Sequence, residues 1–164
     1  MSDKSLVGAC GVFHVSAELS RRGWIAMPTI RNTAGIDLIA SKGDRTVTIQ
    51  VKTNNTGKAS FPMNKKGEDL VESNLYYVFV SLKGEFERPD FYIVPAALVA
   101  NYIKKTHEKF VTSPPRRKDK WTDEERISRR SASSLRLFPN TLGESIQEFS
   151  DFKIEDYRDR WDMC

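Results

Sequence analysis

Residues 36–53 read Ile-Asp-Leu-Ile-Ala-Ser-Lys-Gly-Asp-Arg-Thr-Val-Thr-Ile-Gln-Val-Lys-Thr, and their pattern decides the fold. Two strand-forming runs, Ile36 to Ser41 and Thr46 to Thr53, flank Lys42-Gly43-Asp44-Arg45, and a Gly-Asp pair between strands signals a two-residue hairpin. With Gly43 and Asp44 as the loop, facing residues have numbers that sum to 87. Lys42 then faces Arg45, Ala40 faces Val47, Leu38 faces Ile49 and Asp37 faces Gln50. Strand side chains alternate between faces, so Ile36, Leu38, Ala40, Val47, Ile49 and Val51 share one wholly apolar side. Asp37, Ile39, Thr48, Gln50 and Lys52 share the other, where a carboxylate, a carboxamide and an ammonium converge at one end of the hairpin.

Upstream, Leu6 to Arg22 carries Leu6, Cys10, Phe13 and Ala17 at helical spacing and stops at Gly23, which predicts a helix. Trp24 to Met27 reads as a short strand closed by Pro28, and residues 31–35 as a turn. Downstream, Thr53 to Asn74 is a polar stretch with little apolar periodicity, read as a long loop. Leu75 to Leu82 is nearly continuous apolar and aromatic, as in a strand buried on both faces, with Asp90 to Val94 as its antiparallel neighbour. Tyr76, Tyr77, Phe79, Phe91 and Tyr92 are core packing in this reading rather than base-stacking groups. Pro95 starts a helix running to about Lys109.

From Thr112 the composition shifts to Pro114-Pro115 and a basic run of Arg116, Arg117, Lys118 and Lys120, an exposed linker. Thr122 to Glu125 forms a capping-box pattern opening a short helix. Leu135 to Phe138 reads as a last strand, and Ile154 to Trp161 as a last helix. The organisation expected is a core over 1–111 and a basic linker with a C-terminal extension over 112–164, packed on or beside it.

The chain has 164 residues, 39% hydrophobic and 29% charged, enough for one sizeable core. Its longest mostly apolar run, Phe91 to Ala100, is broken by Pro95 and is about half of the roughly 20 residues a membrane span needs. Cys10 and Cys164 offer neither a metal clip nor a disulfide framework, and the first residues make no secretory signal, so a cytoplasmic protein with reduced thiols is expected. A net charge of +4 and a pI near 9.1 suit a polyanionic partner without requiring one.

An Asp on one strand with a Gln and a Lys two apart on its neighbour offers hard oxygen ligands for a divalent cation beside an ammonium. Asp37 would supply a carboxylate oxygen, Gln50 its amide oxygen and Val51 its backbone carbonyl, leaving the remaining positions to water and a phosphate oxygen. Lys52 would orient the attacking water, and metal and ammonium together would neutralise charge on a phosphoryl group. An amphipathic hairpin always has a polar face, so this spacing also arises in proteins with no such site.

From Gly8-Ala-Cys-Gly-Val-Phe-His through Gly35-Ile-Asp-Leu-Ile-Ala-Ser to Thr48-Ile-Gln-Val-Lys-Thr-Asn, the order of elements resembles the core of the PD-(D/E)XK nuclease superfamily. The likeness is nearest to the small, restriction-endonuclease-like domains of the Holliday junction resolvase type, and spans about residues 6 to 110. It implies an α/β fold with a mixed central sheet flanked by helices. It also implies a magnesium- or manganese-dependent DNA endonuclease with Asp37, Gln50 and Lys52 as catalytic residues and Asp37, Gln50 and Val51 around the metal. Val12 stands where such proteins often carry a helix-borne Glu. Glu18, roughly 240° around the helix from Val12, is no replacement. His14 and His107 are read as structural or solvated.

Lys58, Lys65 and Lys66 follow the hairpin and are candidate phosphate contacts. Double-strand cleavage would call for a homodimer, but no residue specifies an interface. Two other readings stay open at this stage: a nucleic-acid-binding module without catalysis, and a protein interaction module in which the polar hairpin face is only solvated surface.

Overall fold

The computed structural model describes residues 3–29, 35–54, 60–114, 121–139 and 153–164. It is a mixed α/β fold: a five-stranded mixed sheet flanked by helices, with a separate two-stranded ribbon. The main sheet runs β1 (Ile25–Pro28), β2 (Leu38–Lys42), β3 (Arg45–Asn54), β5 (Leu75–Ser81), β6 (Asp90–Pro95). Only β3 and β5 are parallel. The ribbon pairs β4 (Ser60–Asn64) with β7 (Leu135–Pro139).

The β2–β3 hairpin has the register read from sequence, with Leu38 opposite Ile49, Ala40 opposite Val47 and Lys42 opposite Arg45. Gly43 supplies the positive φ (57°) that the tight turn requires. Because β3 and β5 are parallel, the chain must cross over between them, and it does so through residues expected to be a loop. That stretch contains β4 and a 3-10 turn at Lys65–Glu68. β4 pairs with β7, far off in sequence, which local periodicity cannot reveal.

Each face of the sheet carries its own core. One face packs Leu38, Ala40, Val47, Ile49, Val51, Val78, Val80, Phe91 and Ile93 under α1 (Lys4–Ser20). The other packs Leu75, Tyr77, Phe79, Tyr92 and Val94 against α2 (Ala96–Thr112) and the ribbon residues Phe61, Met63 and Phe138. The second core is aromatic: Phe79 stacks on Phe138 with centroids 4.2 Å apart and touches Phe61 at 4.9 Å. Trp161 and Cys164 join the first core and Ile154 the second, so residues beyond 112 help to complete both.

α1 is capped by Asp3, whose Oδ1 accepts from Ser5 N at 2.8 Å, and it ends ahead of Gly23 at φ 81°. The stripe of Leu6, Cys10, Phe13 and Ala17 that marks the helix in the sequence is not its buried face. Gly11, Val15, Glu18 and Leu19 are buried, whereas Leu6 is 69% and Phe13 67% exposed. Gly11 explains this choice: a Cβ there would overlap the Thr53 side chain, so only glycine lets the helix lie this close to β3. Glu18 is buried as an ion, paired with Arg22 and, at 3.3 Å, with Arg88.

α3 (Asp123–Ser131) opens with the expected capping box: Glu125 N donates to Thr122 Oγ1 at 3.2 Å and Thr122 N to Glu125 Oε2 at 2.8 Å. The expected last helix is instead two 3-10 turns, Ile154–Tyr157 and Trp161–Met163, parted by Asp159 at φ 53°. Asp159 N donates to Phe91 O at 2.9 Å, and this tie to the sheet competes with helical continuation.

Candidate active site

The β2–β3 ladder stops at Leu38 and Ile49, so Asp37 lies one residue beyond it, in a bend rather than in the expected strand. Its backbone is fixed from both sides, its N donating to Ile49 O at 2.9 Å and its O accepting from Thr29 N at 3.0 Å. The side chain does what the next ladder residue would have done: Oδ2 accepts from Val51 N at 2.8 Å. The carboxylate is thereby pinned to the edge of β3. In a strand the N–H and C=O of one residue point to the same edge, which brings the Val51 carbonyl to the Asp37 side.

Gln50 and Lys52 are half-buried on the α2 face, next to Tyr77 and Phe79 respectively in the parallel ladder. Burial pulls the Lys52 ammonium below the usual lysine range, and the nearby Asp37 carboxylate partly offsets this. Tyr77, 1% exposed, is pushed up to about 12 by burial and by the Asp37 charge. Asp37, Gln50, Val51 and Lys52 thus come together, and Tyr77 joins them. Two residues past Lys52 on the same face, the Asn54 carboxamide is buried with neither polar atom hydrogen-bonded.

The 3-10 turn at Lys65–Glu68 covers this end of the sheet. A Cβ on Gly67 would stand 3.3 Å from the Tyr77 hydroxyl and 3.1 Å from Ile103 Cδ1, so glycine lets the turn settle directly over the tyrosine. Asn64 Oδ1 accepts from Lys66 N at 3.1 Å, and Lys65 N donates to Ser134 O at 2.9 Å. Glu68 is ion-paired with Arg136, which is 4% exposed and also donates to Ser133 O at 2.8 Å and Leu135 O at 3.0 Å. Lys65 and Lys66 are exposed on this turn, and Lys58 lies outside the described residues.

Val12 is partly buried against the first core, on the sheet face opposite Gln50 and Lys52. Glu18 is engaged on that same side. Its burial alone would raise the carboxyl, but hydrogen bonds from Arg22 and Arg88 hold it below the usual value. His14 meets Phe91 edge-on at 6.5 Å. His107 is not solvated as expected: its Nε2 is buried without a partner, and burial followed by the Arg136 charge lowers its pKa.

Among the described residues no group of three or more His, Cys, Asp and Glu side chains is placed to hold a metal. The donors at hand are one carboxylate, one carboxamide and a carbonyl, all hard oxygens. That set fits a magnesium ion that keeps several waters and shares its shell with phosphate, and does not fit a metal needing an all-protein cage. No helix of the described residues is long and apolar enough to cross a membrane.

The sequence reading took Tyr77 as core packing only and did not include Gly67 or the Glu68–Arg136 pair. Tyr77 would have followed from the β3–β5 register, and Glu68–Arg136 from the β4–β7 pairing, but neither pairing leaves a local signal.

The fold is similar to that of a bacterial homing endonuclease, I-Ssp6803I, with a TM-score of 0.53 and 13% identity over 99% of this chain and 91% of that one. The structure of MepB aligns at a TM-score of 0.39 and 12% identity over 96% of each chain, too low to carry weight. No family model matches the sequence, and no curated protein does.

Proposed function

We propose that the protein is a metal-dependent endonuclease that hydrolyses phosphodiester bonds in DNA. The observation that carries this is the Asp37 carboxylate fastened at 2.8 Å to the backbone of the Gln50-Val51-Lys52 strand, with the half-buried Lys52 ammonium beside it. The nuclease-like fold shared with a homing endonuclease supports the same reading. It also agrees with the resemblance of these residues to the PD-(D/E)XK pattern.

Asp37, Gln50 and the Val51 carbonyl would hold a magnesium or manganese ion, which when bound lowers the pKa of a water and offsets phosphoryl charge. Asp37 has one oxygen committed to Val51 N and a second oxygen to offer. Lys52 would hold the attacking water by hydrogen bond, and the partial burial that weakens its hold on its proton lets it share that proton with developing negative charge. Tyr77 stays protonated across the physiological range, so its hydroxyl keeps a proton to donate. Lys65 and Lys66 would bind phosphates flanking the scissile bond.

The test is cleavage of supercoiled plasmid and of duplex and branched oligonucleotides by purified protein, with magnesium, with manganese and with chelator. Asp37→Ala and Lys52→Ala should each lower the rate at least about 100-fold, the scale of a lost electrostatic stabiliser. Unchanged cleavage in both variants would overturn the reading. A second reading, a DNA-binding module without catalysis, is favoured by the single carboxylate at the site and by Val12. Salt-sensitive DNA binding that ignores metal, with no cleavage, would establish it.

A further inference from the structure

The outer face of α1 is the side of this fold least like a solvated surface. From Ser5 to Ala17 the chain contains no Lys, Arg, Asp or Glu, although 29% of all residues are charged. A surface helix ordinarily places its charges opposite the core. Here the side turned from the sheet carries Leu6, Cys10, Phe13 and Ala17, at alternating steps of four and three residues, with Leu6 69% and Phe13 67% exposed. That spacing is the seam of a left-handed helix pair, in which two helices meet along one apolar stripe.

We propose that this face is the contact between two copies of the chain, with their α1 helices packed antiparallel across a two-fold axis. The sizes along the stripe select that partner and direction. In an antiparallel pair centred between Cys10 and Phe13, Leu6 meets Ala17 of the other copy and Cys10 meets Phe13, so every layer sets a large side chain against a small one. A parallel pair would set Phe13 on Phe13 and Leu6 on Leu6, leaving gaps at Ala17.

Charge agrees with the same arrangement. Asp3 is exposed at one end of the helix, and Arg21, its side chain 65% exposed although one nitrogen lies 3.3 Å from Glu18, stands at the other. Antiparallel packing brings each Asp3 beside an Arg21, twice by symmetry, while the uncharged middle offers a nucleic acid nothing to bind. A contact of one helix per copy is at the small end of stable interfaces, so the association is a reversible one.

Sedimentation velocity on the purified chain across roughly 1–100 μM, the affinity range expected of a small interface, gives the decisive reading. A concentration-dependent dimer is expected. Phe13→Glu should raise its dissociation constant at least tenfold, while Leu137→Glu, at an exposed position on the ribbon, should leave it unchanged. Circular dichroism would check that both variants are folded. A short bis-maleimide should cross-link two chains through Cys10, since Cys164 is buried, and Cys10→Ser should abolish the product. A monomer at all concentrations overturns the proposal, and so does a dimer indifferent to Phe13→Glu. Neither outcome touches the cleavage assay, so the two readings fail separately.

Discussion

The two faces of the sheet are built from the same strands but to different rules. Under α1, the core side chains of β2 and β3 are aliphatic, and a glycine brings the helix against Thr53 at the end of the strand. Under α2, the same β3 contributes Gln50, Lys52 and Asn54, and the aromatic core of Tyr77, Phe79, Phe61 and Phe138 has to accommodate them. One face only has to cohere. The other gives up part of its cohesion to hold polar groups out of bulk water, where the attraction between Lys52 and Asp37 is less screened.

That contrast is exposed to test. The largest expected effect is Phe79→Ala, which removes the ring stacked on Phe138 and should cost about 3–5 kcal/mol by urea denaturation. Next comes Gly11→Ala, which improves helix propensity yet should destabilise by about 1–3 kcal/mol, because the new methyl overlaps Thr53. A gain in stability would show that α1 can slide and that the first face is not set by close approach. Lys52→Met should cost less than about 1 kcal/mol, since it frees a half-buried cation from its burial penalty, while cleavage disappears. A loss as large as that of Phe79→Ala would make Lys52 a structural residue.

The smallest effect concerns pH. His107 titrates below its ordinary value of 6.5, so between its two pKa values the native state holds fewer protons than the unfolded chain. Its contribution is complete above pH 6.5 and is lost as pH falls through the folded value. Urea midpoints measured from about pH 8 to about pH 5 should therefore fall more steeply for the wild type than for His107→Gln. Parallel curves would refute the assignment.

The hairpin was legible because a two-residue loop leaves one register compatible with an apolar face, and that register put Asp37 at the Gln50–Lys52 end, although the ladder itself stops at Leu38 and Ile49. The buried face of the helix was not legible, for the opposite reason. Two stripes on α1 satisfy the same period, and the one that is buried contains Gly11 and Glu18, residues that a search for apolar spacing passes over. The site was half legible: Asp37, Gln50 and Lys52 follow from one hairpin, whereas Tyr77, Gly67 and Arg136 reach it through the β3–β5 and β4–β7 pairings. Those are non-local contacts, fixed by the whole topology.

The Glu68–Arg136 pair and the insertion of Phe138, Ile154 and Trp161 into the two cores also set an order in time. Synthesis from the N-terminus delivers Asp37, Gln50 and Lys52 early, but the turn over Tyr77 lacks its ion pair with Arg136 until that residue has emerged, and neither core is complete before Ile154 and Trp161. A chain released before residue 136 therefore carries the candidate site's side chains without the Glu68–Arg136 ion pair that fastens the turn over them.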